Sequence, residues 1–563
     1  MSINGTLNIG KTALAVNQAA LQTIGNNIAN VGNANYTRQR ADLAADKSQK
    51  IAKGIFVGTG VELAGIRRQI DEQLEARLRS SISNSEGANE TAMWLNRVES
   101  VYNELSDQDV STSMSEYFNA WSELAQKPQD TALRQVVVEN AKSLSAQLGT
   151  LRQSLGDIAG DANDSLVAAT VEADRLIAGI ADLNSRIANG GGTANAGLMD
   201  QRDTQVKQLS ELMNIRTRPR EDGTMTIYAG NEPLVEGGVG RGIQVRTDVV
   251  NGHTETTVVY KHDGGSVDIK DGKLGALDAV NDQISNTVKQ VDDLASSLIF
   301  EVNKLHSSGQ GLEGYSELSA EHTAADSTAA LTSDEADLSF IPKNGSFVVQ
   351  VKDKSTGAVS STLISVDLDG LNNNDMSLDD LATALDGVDN ISASVVGGRL
   401  SVTADSNAVE FNFAQDSSGV LSALGMGGFF TGSSALDIDV SDRVVSNLDL
   451  LAASGNGEPA DNTTALAINA LREKAIDALG GKSLTQAYEA NVNEVAASAA
   501  NATSDAEAGT AIQATLQAQR DAVSGVSLDE EAIQLMQYQR AYQGAARLIT
   551  TTNEMMQTLM NIV

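Results

Sequence analysis

Leucine and isoleucine recur every seventh residue at the start of the chain, at Leu7, Leu14, Leu21 and Ile28, and Gly10, Asn17, Ile24 and Val31 stand three residues after each. That is the spacing of a coiled-coil seam, and it predicts a helix with one apolar face and an opposite face of amides and alanine. The end of the chain repeats the device. Leu528, Leu535, Tyr542, Ile549, Met556 and Val563 hold the same period, with Tyr538, Ala545, Thr552 and Leu559 at the second seam position. One amphipathic stretch ordinarily covers the core of its own domain. Two of them at opposite ends of one chain point to termini that pack together, within one molecule or between several.

Between the seams the period switches several times. A Gly/Asn-rich turn at 32–36 precedes a weakly alternating segment, Ile55 to Gly65, that predicts a hairpin. Helical spacing follows at Ile66, Ile70, Leu74 and Leu78, then at Trp94, Val98, Val101 and Leu105, then at Tyr117, Trp121 and Leu124. A longer face runs from Leu133 through Leu144, Leu155 and Leu176 to Ile187, and Asn189 to Gly192 end it. After a further helix, Leu198 to Leu212, β-type runs begin near Arg218-Pro219, with turns at Asp222-Gly223, Asn251-Gly252 and Gly264-Gly265. Helix resumes from Leu274 to His306, β patterning returns from Asp337 to Val440 with one short helix at Leu378 to Leu385, and helices at Leu466 to Leu479 and Leu484 to Gly525 lead into the last seam.

The expected fold is therefore multidomain and mainly α, a long helical bundle or coiled-coil rod formed by both chain ends, with two inserted all-β or α+β domains. Residues 1–40 with 526–563 form the terminal assembly domain. Residues 41–215, 272–336 and 441–525 form the helical body, 216–271 a small β insertion, and 337–440 a larger one. A chain of 563 residues is too long for a single core.

Charge sharpens the division. The net charge is −34, yet no Asp or Glu precedes Asp42, and after Glu531 the tail carries only Arg540, Arg547 and Glu554. Charge depletion suits surfaces that become buried, and amides such as Asn26, Asn27, Asn30, Asn33 and Asn35 hydrogen-bond there without the desolvation cost of an ion. The acidic interior reads as solvent-facing, its self-repulsion favouring solubility. The same balance, without clustered Lys and Arg, argues against nucleic acid. No apolar run is long enough to span a bilayer, and no secretory leader is expected at the start. Cysteine is absent, which removes disulfides and thiolate chemistry.

No cofactor, metal or catalytic site is expected. The four histidines, His253, His262, His306 and His322, form no HExxH pair. Gly309-Gln310-Gly311-Leu312-Glu313-Gly314 matches GxGxxG by letters, but it follows a helix and opens none, so it reads as a loop. Asp369 to Asp375 lacks the alternating ligands and closing Glu of an EF-hand. A catalytic carboxylate pair among so many acids competes with the simpler reading of a solvated acidic surface.

Asn27-Ile28-Ala29-Asn30 followed by Tyr36-Thr37-Arg38-Gln39 resembles the N-terminal signature of the bacterial flagellar axial proteins, the family of rod, hook and hook-associated proteins. Tyr538-Gln539-Arg540-Ala541-Tyr542 and the methionine-rich end resemble its C-terminal tail. Leu198-Met199-Asp200-Gln201-Arg202-Asp203 and Gly272-Lys273-Leu274-Gly275-Ala276-Leu277 are similar to stretches found in its hook-filament junction members. One departure is Asn35, where the family usually has Gly before the Tyr; Asn is the non-Gly residue best suited to a left-handed turn.

The resemblance implies an extracellular structural protein of the flagellum, exported without a cleaved signal and polymerised as a ring joining hook to filament. It implies as partners further copies of the chain, hook protein, a second junction protein and a cytoplasmic export chaperone that grips the C-terminal seam. The implied assembly interface is Leu7, Leu14, Leu21, Ile24, Ile28, Val31, Leu535, Tyr538, Tyr542, Ile549, Met556 and Leu559. A helix from Asn8 to Val31 is only ~36 Å long at ~1.5 Å per residue, and helices of that size are marginal alone in water. The ends are therefore expected to be loose in the monomer and to fold when neighbours bury their seams. Competing readings are another axial protein, such as hook protein or the second junction protein, and, from a different class, a glycan-binding or adhesive module at 337–440 or a flagellum-borne hydrolase. The missing nucleophile and HExxH motifs weigh against the hydrolase.

Overall fold

The computed structural model describes residues 3–52, 54–102, 109–190, 195–250, 253–371 and 374–562. Leu105, Gly191, Gly192, Asn251, Gly252 and Val563 of the sequence expectations lie outside the described residues. The N-terminal helix α1 (Ile3–Ala29) leads into β1 (Gln39–Ala45), β2 (Gln49–Ala52), β3 (Ile55–Val57) and β4 (Val61–Arg68). Helices α2 (Glu72–Tyr102), α3 (Val110–Leu124), α4 (Thr131–Asn189) and α5 (Ala196–Leu212) follow. Then come β5 (Arg216–Pro219), β6 (Met225–Ala229), β7 (Glu232–Glu236), β8 (Val239–Gly240), β9 (Ile243–Val250) and β10 (His253–Tyr260), ahead of α6 (Gly272–Ser307).

The second β region holds β11 (Glu317–Ser319), β12 (Gly345–Asp353), β13 (Val359–Val366), α7 (Leu378–Asp386), β14 (Ile391–Val396), β15 (Arg399–Ala404) and β16 (Val409–Ala414). Short elements follow, α8 (Val420–Ala423), β17 (Phe430–Thr431), β18 (Asp439–Val440), α9 (Asp442–Ser446) and α10 (Thr463–Ala470), before the long α11 (Leu484–Ser524) and α12 (Leu528–Ile562). The protein is thus mainly helical, with several small sheets, and divides into two compact units.

The first unit comprises Met1–Trp94, Asp161–Asn281 and Ala500–Val563. In it β1 pairs antiparallel with β4, and β2 with β3, so the hairpin is longer than the alternation at Ile55 to Gly65 suggested. Ile66 lies on β4 and Ile70 before α2, not on a helical face. The reason is Asp71, whose Oδ1 accepts the N–H groups of Gln73 (3.0 Å) and Leu74 (3.1 Å) and so starts the helix there. The small β insertion is a four-stranded sheet, β5-β6-β7-β8, beside the β9-β10 hairpin. Asn184 of α4 fastens it, donating to Met225 O (2.8 Å) and Gly237 O (2.9 Å) and accepting from Met225 N (3.1 Å). Gly272 opens α6 at φ +77°, and a Cβ there would stand 2.6 Å from Met213 N, so this first glycine of the Gly272–Leu277 stretch is fixed by backbone contact.

The second unit comprises Leu95–Gly160 and Asp282–Ala499. Two three-stranded sheets, β13-β12-β16 and β11-β15-β14, share a core with α7, which Ser377 and Asp380 start through a reciprocal capping box. Leu318, Ala320, Ala324 and Leu331 are buried in that core, so the larger insertion is entered near Glu317 rather than at Asp337. A three-residue strand such as β11 is too short for alternation to reveal it. The helical part packs Tyr117 and Trp121 of α3 against Phe429, and Tyr117 also against Phe430, with Phe118 beside Tyr117. His306 lies among them, its Nδ1 bonded to Gly427 O (2.8 Å) while Nε2 accepts Ala452 N–H (3.0 Å), which assigns the proton to Nδ1. Helix α10 stops at Ala470, short of the Leu479 expected, because Ile476 pairs with Lys482 across a reversal in which Gly480 and Gly481 take φ of +65° and +82°. Gly309–Gly314 is a loop, with Leu312 N–H bonded to Asp449 O at 2.7 Å.

Candidate assembly interface

Helices α1 and α12 lie against each other, so the two seams meet within one chain. The buried line of α1 is Gly10, Val16, Ala20, Thr23, Ile24 and Asn27. It runs along the small-residue side of the predicted seam. A Cβ on Gly10 would stand 2.7 Å from Ile549 Cγ1, so the missing side chain lets the isoleucine reach the helix backbone. Leu7, Leu14, Leu21 and Ile28, the heptad positions, flank this line and are half-buried, while Val31 is exposed beyond the helix end. On α12, Ala545 and Thr552 are buried, Leu535, Tyr538, Ile549 and Met556 half-buried, and Tyr542 and Leu559 exposed. A second α12 row that heptad counting passed over, Ile533, Met536, Leu548, Met555 and Met560, is also exposed. Its offsets of three, twelve, seven and five residues do not repeat, which is why the seam pattern hid it.

The signature residues form a polar clamp at the base of the pair. Asn27 is 1 % exposed and uses its whole hydrogen-bonding capacity. Its Nδ2 donates to Gln39 O (2.8 Å) and Glu531 Oε2 (2.9 Å), and its Oδ1 accepts from Tyr36 Oη (2.8 Å) and Gln39 N (3.0 Å). Arg38 donates from Nε to Glu531 Oε1 (2.8 Å) and from its terminal nitrogen to Glu530 Oε2 (2.6 Å). Its backbone N–H reaches Ser524 O (3.0 Å). Burial, then the nearby Asp200 and Glu531 carboxylates, push the Tyr36 phenol up to about 12, so it stays a proton donor at any physiological pH.

Of the signature residues, Asn27, Tyr36, Arg38 and Gln39 thus converge, and Thr37 is buried beside them. Asn30 donates only to Asn26 O in its own helix, and Ala29, Gln539 and Arg540 are exposed. Asn35 does not take the left-handed conformation; Gly32 does, at φ +81°, and Asn35 N–H instead bonds Asn33 Oδ1 (3.1 Å). The residue that sequence reasoning missed is Glu531, fully buried although it belongs to the acidic first turn of α12. Its signal was weak: a carboxylate at the border of an otherwise charge-poor tail.

Among the described residues, Asp367, Asp369 and Asp375 form the acidic group whose oxygens lie within 4.8 Å of one another. All three are at least partly exposed and turn inward on their own loop: Asp369 and Asp375 accept backbone N–H groups, and Asp367 accepts the Asn374 amide. Among the described residues no helix is long and apolar enough to cross a membrane.

Residues 95–321 match the family model described as the flagellar hook-associated protein FlgK helical domain, and residues 517–562 match the C-terminal model of the flagellar basal body rod FlgEFG proteins. Flagellar hook-associated protein 1 of Escherichia coli (strain K12) is 25 % identical over 588 aligned residues covering all of both chains. The protein of that name from Bacillus subtilis (strain 168) is 29 % identical over 226 residues, 38 % of this chain and 44 % of its own. The fold is also similar to the flagellar hook junction protein FlgK from Burkholderia pseudomallei, with a TM-score of 0.51 and 17 % identity over 80 % of this chain and all of the other.

Proposed function

Because the chain belongs to the flagellar hook-associated protein 1 family, we propose that it acts as a structural subunit of the bacterial flagellum, in the junction that joins hook to filament. The observation that carries this reading is the terminal helix pair. Its base is locked by buried polar bonds, while Leu7, Leu14, Leu21 and Ile28 remain half-covered and Met536, Met555 and Leu559 stand in solvent. Such a surface is poor for a monomer and suited to neighbours that complete a coiled-coil layer.

In this proposal residues 1–40 with 526–563 are the assembly element, contacting further copies, hook protein and a second junction protein. The helical body makes lateral and longitudinal contacts, and the two β insertions face solvent. The subunit is exported through the flagellar secretion system, held before export by a cytoplasmic chaperone on the α12 face, and works outside the cell. The family's role is structural, and no catalytic activity is assigned.

The test is binding of full-length and truncated protein to isolated hook ends. Deleting 1–40, or separately 527–563, is expected to abolish binding while circular dichroism and proteolysis show the helical body still folded. Binding retained by either truncation moves the joint elsewhere and refutes the proposal.

A further inference from the structure

The clamp at Asn27 and Glu531 is one face of a larger polar network, and segment 34–39 lies between the two halves. On its terminal side Tyr36, Arg38 and Gln39 hold Asn27 and Glu531. On its other side, buried Thr37 leads into Gln39, which pairs in register with Arg68 of β4. Asp200 pairs with Arg68 Nε at 3.1 Å, and Arg68 also pairs with Asp203. Asp203 Oδ1 accepts from Arg202 (2.9 Å), whose other terminal nitrogen donates to Gly223 O (2.7 Å) in the small β insertion. Arg520 of α11 donates to Ala34 O and to Glu75 Oε1, each at 3.2 Å. Arg38 O accepts Gln69 N–H at 2.9 Å, one residue beyond Arg68. Tyr36, Arg38 and Gln39 therefore each bond across to another element.

From this arrangement we infer that segment 34–39 couples the terminal helices to the Asp200–Asp203 stretch and the small β insertion, so that ordering at the ends and ordering of that insertion's base rise and fall together. The argument is one of unpaired charge. The Arg68 and Arg202 side chains are 7 % and 4 % exposed, and Glu531 is fully buried. None of these ions is stable in place if its partner leaves, since a buried charge without its counter-ion is strongly disfavoured. Releasing Glu531 frees Arg38 and Asn27, which hold 36–39 in place; that segment then no longer steadies Gln69 and Arg68, and with them the Arg68 pairs to Asp200 and Asp203. Releasing Asp203 strands Arg68 and Arg202 and loosens the same segment from the opposite side. The inference goes beyond the assembly reading, because the coupling operates within one chain.

The experiment is hydrogen exchange on the full-length monomer, with no hook present, for wild type, Glu531→Gln, Asp203→Asn and the double variant. Glu531→Gln is expected to speed exchange by about tenfold or more not only at 20–40 but also at 196–206 and 223–229, and Asp203→Asn to do the same at 24–31. The double variant is expected to exceed neither single by the product of their effects, because the second loss acts on a segment already released. Effects confined to each variant's own side, with a multiplicative double, overturn the inference. Asp529→Asn, at an exposed carboxylate of the same first turn, is expected to match wild type; an effect equal to that of Glu531→Gln would reduce the latch to surface charge and also overturn it. If Asp203→Asn fails to fold, Tyr36→Phe removes a single hydroxyl and must still reach 196–206.

Discussion

Asn27 offers the sharpest test of the clamp, because removing its amide and replacing it with a carboxylate give different answers. Asn27→Ala removes four hydrogen bonds and leaves Glu531 Oε2, in a fully buried side chain, without its amide donor. Gln39 and Tyr36 are half-buried and regain water, so their share is small. One orphaned buried acceptor at about 1–3 kcal/mol plus about 1 kcal/mol for the remaining bonds gives a cost of roughly 2–4 kcal/mol. That is roughly 30- to 700-fold in the local opening constant of the α1–α12 pair. Asn27→Asp keeps the acceptors for Tyr36 and Gln39 but replaces the donor facing Glu531 by a second carboxylate. Two like charges about 3 Å apart repel by on the order of 5 kcal/mol at an effective dielectric of about 20. The near-isosteric Asp is therefore expected to open the pair more than Ala does. The assay is hydrogen exchange at 20–40 and 524–540, since a protein of two compact units has no single unfolding free energy. An Asp variant as protected as wild type would refute the clamp.

Other consequences follow from the same geometry. Burial pushes His306 down to about 4, so the folded state holds it neutral. With an unfolded value of about 6.5, its contribution is fully present above that pH and is lost as pH falls through 6.5 toward 4; His306→Asn should flatten the pH dependence of melting of the second unit over that window. Met555→Glu and Leu559→Glu change side chains that are 58 % and 55 % exposed, so they should leave monomer melting within about 0.5 kcal/mol while abolishing binding to hook ends. Gly10→Leu drives a side chain into Ile549 and should destabilise the terminal pair by about 1–3 kcal/mol, read as faster exchange on both helices.

Periodicity carried the long helices well, since a face sustained over many turns leaves little ambiguity: α4, α5, α6 and α11 begin and end within a few residues of the expected positions. It failed where elements are short or where a cap overrides spacing, as at β11, at Ile66 and Ile70 ahead of Asp71, and at the end of α10. The termini are the instructive case. Heptad counting found both helices but centred their contact on the leucines. The buried line instead joins the second seam positions Gly10 and Ile24 to Val16, Ala20, Thr23 and Asn27, several of them small or polar residues that hydropathy scores poorly. Glu531 was illegible for a related reason: a carboxylate in the first turn of a helix is read as dipole-favoured and solvated, and only the approach of Asn27 and Arg38 from far upstream makes it a buried anchor.

On the proposed function, that displacement lets one pair of helices be ordered in a chain and still keep a surface for polymerisation. A heptad seam closed on its own leucines would bury its apolar surface in the monomer and leave nothing for a neighbour; it would also tolerate slippage by a full repeat. A buried asparagine bonded to a particular glutamate permits one register, the use for which single buried polar groups are best attested in coiled coils. The clamp therefore fixes where α12 sits on α1, and the half-covered Leu7, Leu14, Leu21 and Ile28 with the exposed α12 row keep their apolar surface available. Full burial of such a side chain is worth about 1.5–3 kcal/mol, so a half-covered one retains about half of that. Association costs at least about 4 kcal/mol in lost freedom. No single leucine repays this, and several must be covered at once. Under the proposed function, the terminal pair is thus inert toward a lone copy making a glancing contact and is expected to stick where neighbours meet it along its length, as at the end of a growing axial structure.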